Sequence, residues 1–414
     1  MSLLTRWSLA SGQRPIPYPD KKHMVIIDGQ SLGLGHNGTA AERTQEGYRN
    51  RPASRMHRGL MRSDAALTMP LHGPLSQGYA ADHATGLSFA VPVGNIPACL
   101  TFASALDLWR RQLGLPLHRM IVGFNGIGGQ SIVQFDHDPL PDPFGTKIRD
   151  NHARWLAEMM SVEPTAVPLL YACIQGEADV SQTPEWYRAQ AHVSYDAALD
   201  DIEAATGVRP PVVVWQTGAY TNGTTTNSGS TLAQLQLVED YSAAFAGPLY
   251  PNFLADNVVH PTLDYQILHC EIAALVWAHR EAGQNINLLP LAPIWSGNTV
   301  RIPFSVRPGR SLAFEAVDKY AAYGGLTNHG VEATGANITS VTLDGNAVVV
   351  TCDGPMTQVQ IAMQSQDVSS FADGSLGNYG AHRCDIMESD PEDSLMLPGW
   401  KLKRFIPSCR FARP

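Results

Sequence analysis

A serine, a histidine, carboxylates and glycine pairs recur beside apolar runs at four places in the 414-residue chain. Ser31 stands in DGQSLG (28–33), directly after the run MVIID. GIGGQSI (126–132) follows a second run, IQGEAD (174–179) closes a third, and DNVVHP (256–261) sets Asp256 just ahead of His260. Ester cleavage by acyl transfer asks for these types: a hydroxyl nucleophile, an imidazole to take its proton, a carboxylate to orient the ring, and donors around the carbonyl oxygen. Each motif taken singly has a plainer explanation. Ser31 among glycines is a tight turn, Glu177 and Asp179 are a solvated acidic pair, and His260 before Pro261 marks the start of a helix. GIGGQS has neither GxGxxG spacing nor a Walker lysine, which argues against a phosphate loop.

The four motifs can meet only if the elements before them end at one edge. MVIID (24–28), MIVGF (120–124), LLYACI (169–174), VVVWQ (212–216) and NFLA (252–255) are short apolar runs without polar alternation. Such runs predict strands covered on both faces, the condition of a parallel sheet. Helical patterns lie between and after them at 98–113, 150–162, 184–207 and 262–283. Alternating strands and helices predict an open α/β sandwich, and sites in such sheets lie beyond the carboxyl ends of the strands. Residues from about 36 to 96 break the rhythm and read as a long insertion. Its locally basic set, His36, Arg49, Arg51, Arg55, His57 and Arg58, is expected to be solvated or paired with acids, with lining of a substrate cleft as the minority reading. From 285 onward, alternating apolar and polar residues with Asp-Gly turns predict an antiparallel β-sandwich.

In this order, DGQSLG, GIGGQSI, IQGEAD and DNVVHP resemble the SGNH/GDSL hydrolases, and within them the sialate O-acetylesterase and acetylxylan esterase branch. The resemblance covers about residues 22 to 283. It implies a flavodoxin-like three-layer α/β/α sandwich with a five-stranded parallel sheet over residues 1–284; the β-sandwich over 285–414, read from its own period of two, lies beyond the resemblance and reads as an accessory domain. It also implies a serine esterase that removes O-acetyl groups from a carbohydrate through an acyl-enzyme. Ser31 would be the nucleophile and His260 the general base. The N–H groups of Ser31 and Gly129 and the amide of Gln175 would form the oxyanion hole, with Gln30 and Gly128 facing the substrate. The pattern departs from the family at the acid: the position three before His260 is Asn257, and Asp256 stands one earlier. Asp256 and Glu177 therefore both stand as candidates for the acid. No metal or organic cofactor is implied. The alternatives are a general short-chain esterase or thioesterase, and, in another class, a glycan-binding or phage-tail structural module, which the departure at Asn257 favours.

Composition agrees with a soluble enzyme acting on a neutral substrate. The formal charge of -9, with no run of Lys or Arg, argues against nucleic acid as a partner. No stretch of about 18 apolar residues appears, and the first twenty residues lack the apolar segment of a signal peptide. No membrane partner is expected, and a cytoplasmic or virion-associated location stays open. The cysteines, at 99, 173, 270, 352, 384 and 409, show no zinc spacing. They are expected to be buried, with pairing of Cys384 and Cys409 left open.

Overall fold

The computed structural model of the chain describes residues 22–29, 98–116, 119–126, 131–135, 164–218, 229–251, 263–316, 326–363 and 384–414. Short pieces at 36–37, 54–57, 87–89, 95–96, 152–153, 156–157, 160, 366–367 and 380–381 complete them. In chain order the first part comprises β1 (Lys22–Gly29), β2 (Ser54–His57), β3 (Leu87–Phe89), α1 (Ala98–Gln112), β4 (Arg119–Gly126), β5 (Val167–Ile174), α2 (Pro184–Thr206), β6 (Val212–Gln216), α3 (Gly229–Asp240), β7 (Ala244–Pro248) and α4 (Leu263–Glu281).

One sheet runs β3-β2-β4-β1-β5-β6-β7. Its five strands β4-β1-β5-β6-β7 are parallel, the order of a flavodoxin-like sheet. The insertion adds β2 parallel to β4, and β3 antiparallel to β2, at one edge. The fifth core strand is Ala244–Pro248, earlier in the chain than the expected NFLA, whose residues lie outside the described ones. The strands lack polar alternation because both faces are covered, and their period of two sorts residues between two cores. Val25, Ile27, Leu170, Ala172, Val213 and Trp215 pack against α1 and α4. Met24, Ile26, Tyr171, Cys173, Val212 and Val214 pack against α2 and α3. The result is three layers, α/β/α.

α2 is bounded by its own residues. Thr183 Oγ1 accepts the N–H of Trp186, Pro184 occupies the first turn, and Gly207 closes the helix at φ 73°.

The second part comprises β8 (Ile294–Ser296), β9 (Thr299–Pro303), β10 (Leu312–Phe314), β11 (Val331–Thr334), β12 (Ile338–Asp344), β13 (Ala347–Cys352), β14 (Gln358–Ile361), β15 (Ile386–Glu388) and β16 (Cys409–Ala412). All pairings among them are antiparallel: a sheet β8-β9-β13-β12, a sheet β11-β14-β16 and the pair β10-β15. The expected Asp-Gly turn joins β12 to β13, with Gly345 at φ 59°. Val300, Ile302, Phe304, Val350, Val359 and Ile361 share one core between these sheets. All six cysteines are buried thiols, and no disulfide joins Cys384 to Cys409. No described helix is long and apolar enough to cross a membrane.

The C-terminal residues return to the first part. Met396, Leu397 and Leu402 join the core of α1 and α4. Buried Glu271 of α4 accepts hydrogen bonds from Leu395 N (2.6 Å), Ser394 Oγ and, at 3.3 Å, Trp109 Nε1 of α1. At the end of β6, the amide of Gln216 donates to Ser408 O and accepts from Ser408 N, both at 2.8 Å.

Glu271→Ala would leave two buried donors, Trp109 Nε1 and Ser394 Oγ, and the half-buried N–H of Leu395 without their acceptor, at a cost of roughly 3 kcal/mol. The expected outcome is a lower melting temperature together with faster amide exchange at residues 395–397, read by hydrogen-exchange mass spectrometry. Unchanged exchange there would show that Glu271 does not hold the C-terminal segment.

Candidate functional site

β1, β4 and β5 end level with one another, since Gly29 pairs with both Gly126 and Ile174. β1 lies between strands reached by chain running in opposite directions, so its carboxyl end is the topological switch point of the sheet. Three of the four motifs leave from that place: DGQSLG from β1, GIGGQSI from β4 and IQGEAD from β5. The close approach there requires glycine. A Cβ on Gly29 (φ 154°) would press on the carbonyl of Ile174, and one on Gly176 (φ 150°) would meet Thr217 Oγ1 and lie 2.8 Å from Gln234 Nε2.

Asp179 joins two of these loops. Its Oδ1 accepts Ser131 Oγ at 2.7 Å, while Oδ2 accepts the N–H of Ile132 at 2.7 Å and Gln175 Nε2 at 2.6 Å. The residues that follow the glycine pair are thereby fastened to the loop after β5. Glu177 and Asp179 are both buried, so the explanation as a solvated acidic pair fails.

Gln175 is held at both ends of its side chain. Its Oε1 accepts Tyr187 Oη at 2.8 Å, its amide donates to Asp179, and its main-chain carbonyl accepts Gln234 Nε2 at 2.8 Å. An amide nitrogen carries two hydrogens, so a role in an oxyanion hole calls on the second. Ser230 Oγ donates to Gly176 O at 2.8 Å, and Gln234 Oε1 accepts the N–H of Thr217 at 2.6 Å. The loop is therefore cased by polar side chains from α2 and α3, among them Tyr187, Ser230 and Gln234.

Glu177 is shifted by its burial. Burial drives its carboxyl up from 4.5 to about 8, with a main-chain hydrogen bond opposing the rise and Asp179 adding to it. At neutral pH it holds its proton.

Under the end of β1, buried Asp28 accepts Tyr171 Oη at 3.1 Å and lies 3.6 Å from His152 Nδ1. Burial, and then Asp28, raises Tyr171 well above the ordinary phenol range. Asp28 Oδ1 has no hydrogen-bond partner among the described residues. No sequence motif assigns a role to Asp28. Its signal is a carboxylate closing an apolar strand; the partner His152 gives no comparable signal.

Of the expected site residues, Gln175 and Glu177 are described and adjoin the switch point. Gln30, Ser31, Gly128, Gly129, Asp256 and His260 lie outside the described residues. Among the described residues no group of His, Cys, Asp and Glu could hold a metal ion.

No family model matches the chain, and no curated protein matches it significantly. Among solved structures it is similar to a carbohydrate acetylesterase from Xanthomonas citri, with a TM-score of 0.51 and 15% identity over 89% of this chain and 80% of that one. It is less similar to a protein from Arabidopsis thaliana, with a TM-score of 0.41 and 12% identity over 62% of this chain and 98% of that one. At such identities a likeness speaks to fold alone, and of the two the first reaches the level at which it does. The α/β/α core with a further β part is thus shared with that esterase.

Because Glu177 titrates near 8 in the folded chain and near 4.5 when unfolded, the native state keeps a proton across that window that the unfolded chain has released. Its contribution to stability is complete below about 4.5 and is lost as pH rises to about 8. The melting temperature of Glu177→Gln, compared with wild type, is therefore expected to rise steadily between pH 5 and pH 8. A difference that does not vary with pH would mean that Glu177 is ionised throughout.

Proposed function

We propose that the chain is a serine ester hydrolase that removes O-acetyl groups from a carbohydrate, with Ser31 as nucleophile and His260 as general base. The observation that carries this reading is the level ending of β1, β4 and β5, with Asp179 clamping the loop after the glycine pair to the loop after β5. Loops so fastened can offer fixed donors, and a fixed donor is worth most where charge develops in the transition state.

His260 takes the proton of Ser31 as its Oγ attacks the acetyl carbonyl. The negative charge on oxygen meets the N–H groups of Ser31 and Gly129 and the second N–H of Gln175. His260 returns the proton to the departing sugar hydroxyl, and water then repeats the sequence on the acyl-enzyme. Gln30 and Gly128 flank the acetyl group.

For the acid that orients His260 we favour Asp256 over Glu177. A carboxyl that keeps its proton up to about pH 8 cannot stabilise an imidazolium at neutral pH as a carboxylate does. The fold shared with a carbohydrate acetylesterase supports the substrate class, as does the polar character of the 36–96 insertion.

The test is acetate release from 4-nitrophenyl acetate and from a panel of O-acetylated sugars. Wild type is expected to be active on both, Ser31→Ala and His260→Ala to lose about a thousandfold or more, and Asp256→Asn to lose more than Glu177→Gln. Full activity in Ser31→Ala would overturn the nucleophile. An inactive wild type would favour a glycan-binding or structural module, and activity on 4-nitrophenyl acetate alone would favour a general short-chain esterase.

A further inference from the structure

A cavity of about 270 Å3 lies between the first part of the chain and the C-terminal residues that fold back on it. One wall is β7 and the first half of α4; the other is the segment around residues 399–405. α4 follows β7 and returns across the sheet, so its early turns lie toward the carboxyl edge. The β7 wall ends at Pro251, in the same stretch of chain as Asp256 and His260.

The floor is apolar, with Leu268, Ile272 and Leu288 among its residues. Trp400 also lines the cavity, is 37% exposed, and stands edge-to-face with Tyr265 at 5.8 Å and 89°. That contact fixes the indole, and an indole held in place offers a flat apolar surface at low entropic cost.

The cations of the lining are already matched. Lys403 pairs with Glu315, Lys401 with Asp393, and buried Arg404 with Glu388. An anionic ligand would therefore find no unneutralised charge. A purely hydrocarbon ligand fits poorly for a different reason. His269 lines the cavity and is 4% exposed, and its Nε2 has no hydrogen-bond partner among the described residues. Burial alone lowers this imidazole to about 3, so it stays neutral at ordinary pH. A neutral imidazole and a paired ammonium and carboxylate suit hydroxyls, which both give and accept hydrogen bonds. The volume falls just under the range of pockets for drug-sized ligands, which fits a single ring.

We propose that this cavity is a binding site for one neutral glycosyl ring, packed against Trp400 and hydrogen-bonded to His269 and the Lys403–Glu315 pair. Binding there is independent of the esterase reading; only its use as a subsite for the same substrate rests on that reading.

The test is saturation-transfer-difference NMR with the methyl β-glycosides of glucose, galactose, xylose and N-acetylglucosamine. Benzoate and octanoate serve as comparators, and the proteins are the wild-type chain and its Ser31→Ala, Trp400→Ala, Trp400→Phe and His269→Gln variants. At least one glycoside is expected to bind with millimolar affinity, equally well to wild type and Ser31→Ala. Trp400→Ala is expected to weaken binding about tenfold, the order of one aromatic contact, while Trp400→Phe, which keeps a ring, retains most of it. His269→Gln, which keeps a polar group at the same reach, is expected to bind more weakly than wild type but to melt normally. The proposal is overturned if no glycoside binds at tens of millimolar, if only the comparators bind, or if Trp400→Ala binds as wild type does. Glycoside binding without acetate release from any ester would leave this site standing and remove the esterase reading.

Discussion

The carboxylate of Asp179 is the contact on which the arrangement at the switch point depends. It accepts from a hydroxyl, a main-chain amide and a side-chain amide, two of them from the loop after β4 and one from the loop after β5. Taking a carboxylate out of water is costly unless its oxygens are satisfied, and removing such partners costs more than the bonds are worth on net. The three donors make that burial tolerable, and in return the two loops cannot drift apart without exposing or orphaning the carboxylate. Strand ends that finish level become a fixed edge through this contact.

Glu177 lies two residues earlier in the same motif and has the opposite fate. Its burial is met by protonation, with its carboxyl pushed up to about 8. Two acids side by side, one fully engaged as an acceptor and one neutral, are what separate environments produce from identical chemistry. The casing from α2 and α3 makes the difference possible: Tyr187, Gln234 and Ser230 satisfy the carbonyls of Gln175 and Gly176 and close the loop to water.

The sheet core was legible because strands buried on both faces must be apolar throughout, and MVIID, MIVGF, LLYACI and VVVWQ are. β7 was misplaced for the same reason: AFAGP contains Gly247 and Pro248, residues that disfavour strands, while NFLA nearby looks better. α3 gave no clear signal, since it opens on Gly229, Ser230 and Thr231 and buries polar residues such as Gln234 alongside Ala233, Leu237 and Val238. β2 and β3 could not be found within an insertion that has no period. In the site, the motifs marked Gln175 and Glu177, but their hydrogen-bond partners come from elements distant in sequence. No spacing rule links Asp28 to His152, or Tyr187 to Gln175.

Near residue 285 the pattern of strands changes from parallel to antiparallel, yet the packing does not divide there. Tyr250 and Leu288 belong to the core of the second part, while Met396, Leu397 and Leu402 belong to that of the first. Gln216, at the end of β6 beside the edge strand β7, has both its amide atoms engaged by Ser408, and Tyr250 Oη donates to Ile406 O at 2.7 Å. A chain cut near 285 would leave these buried polar groups unmatched and uncover the apolar surface of α1 and α4. The cavity at Trp400 has one wall from each side of that junction, so its shape exists only while both are joined. The C-terminal residues therefore act on the α/β part through its last strand and last helix, the elements that flank Asp256 and His260.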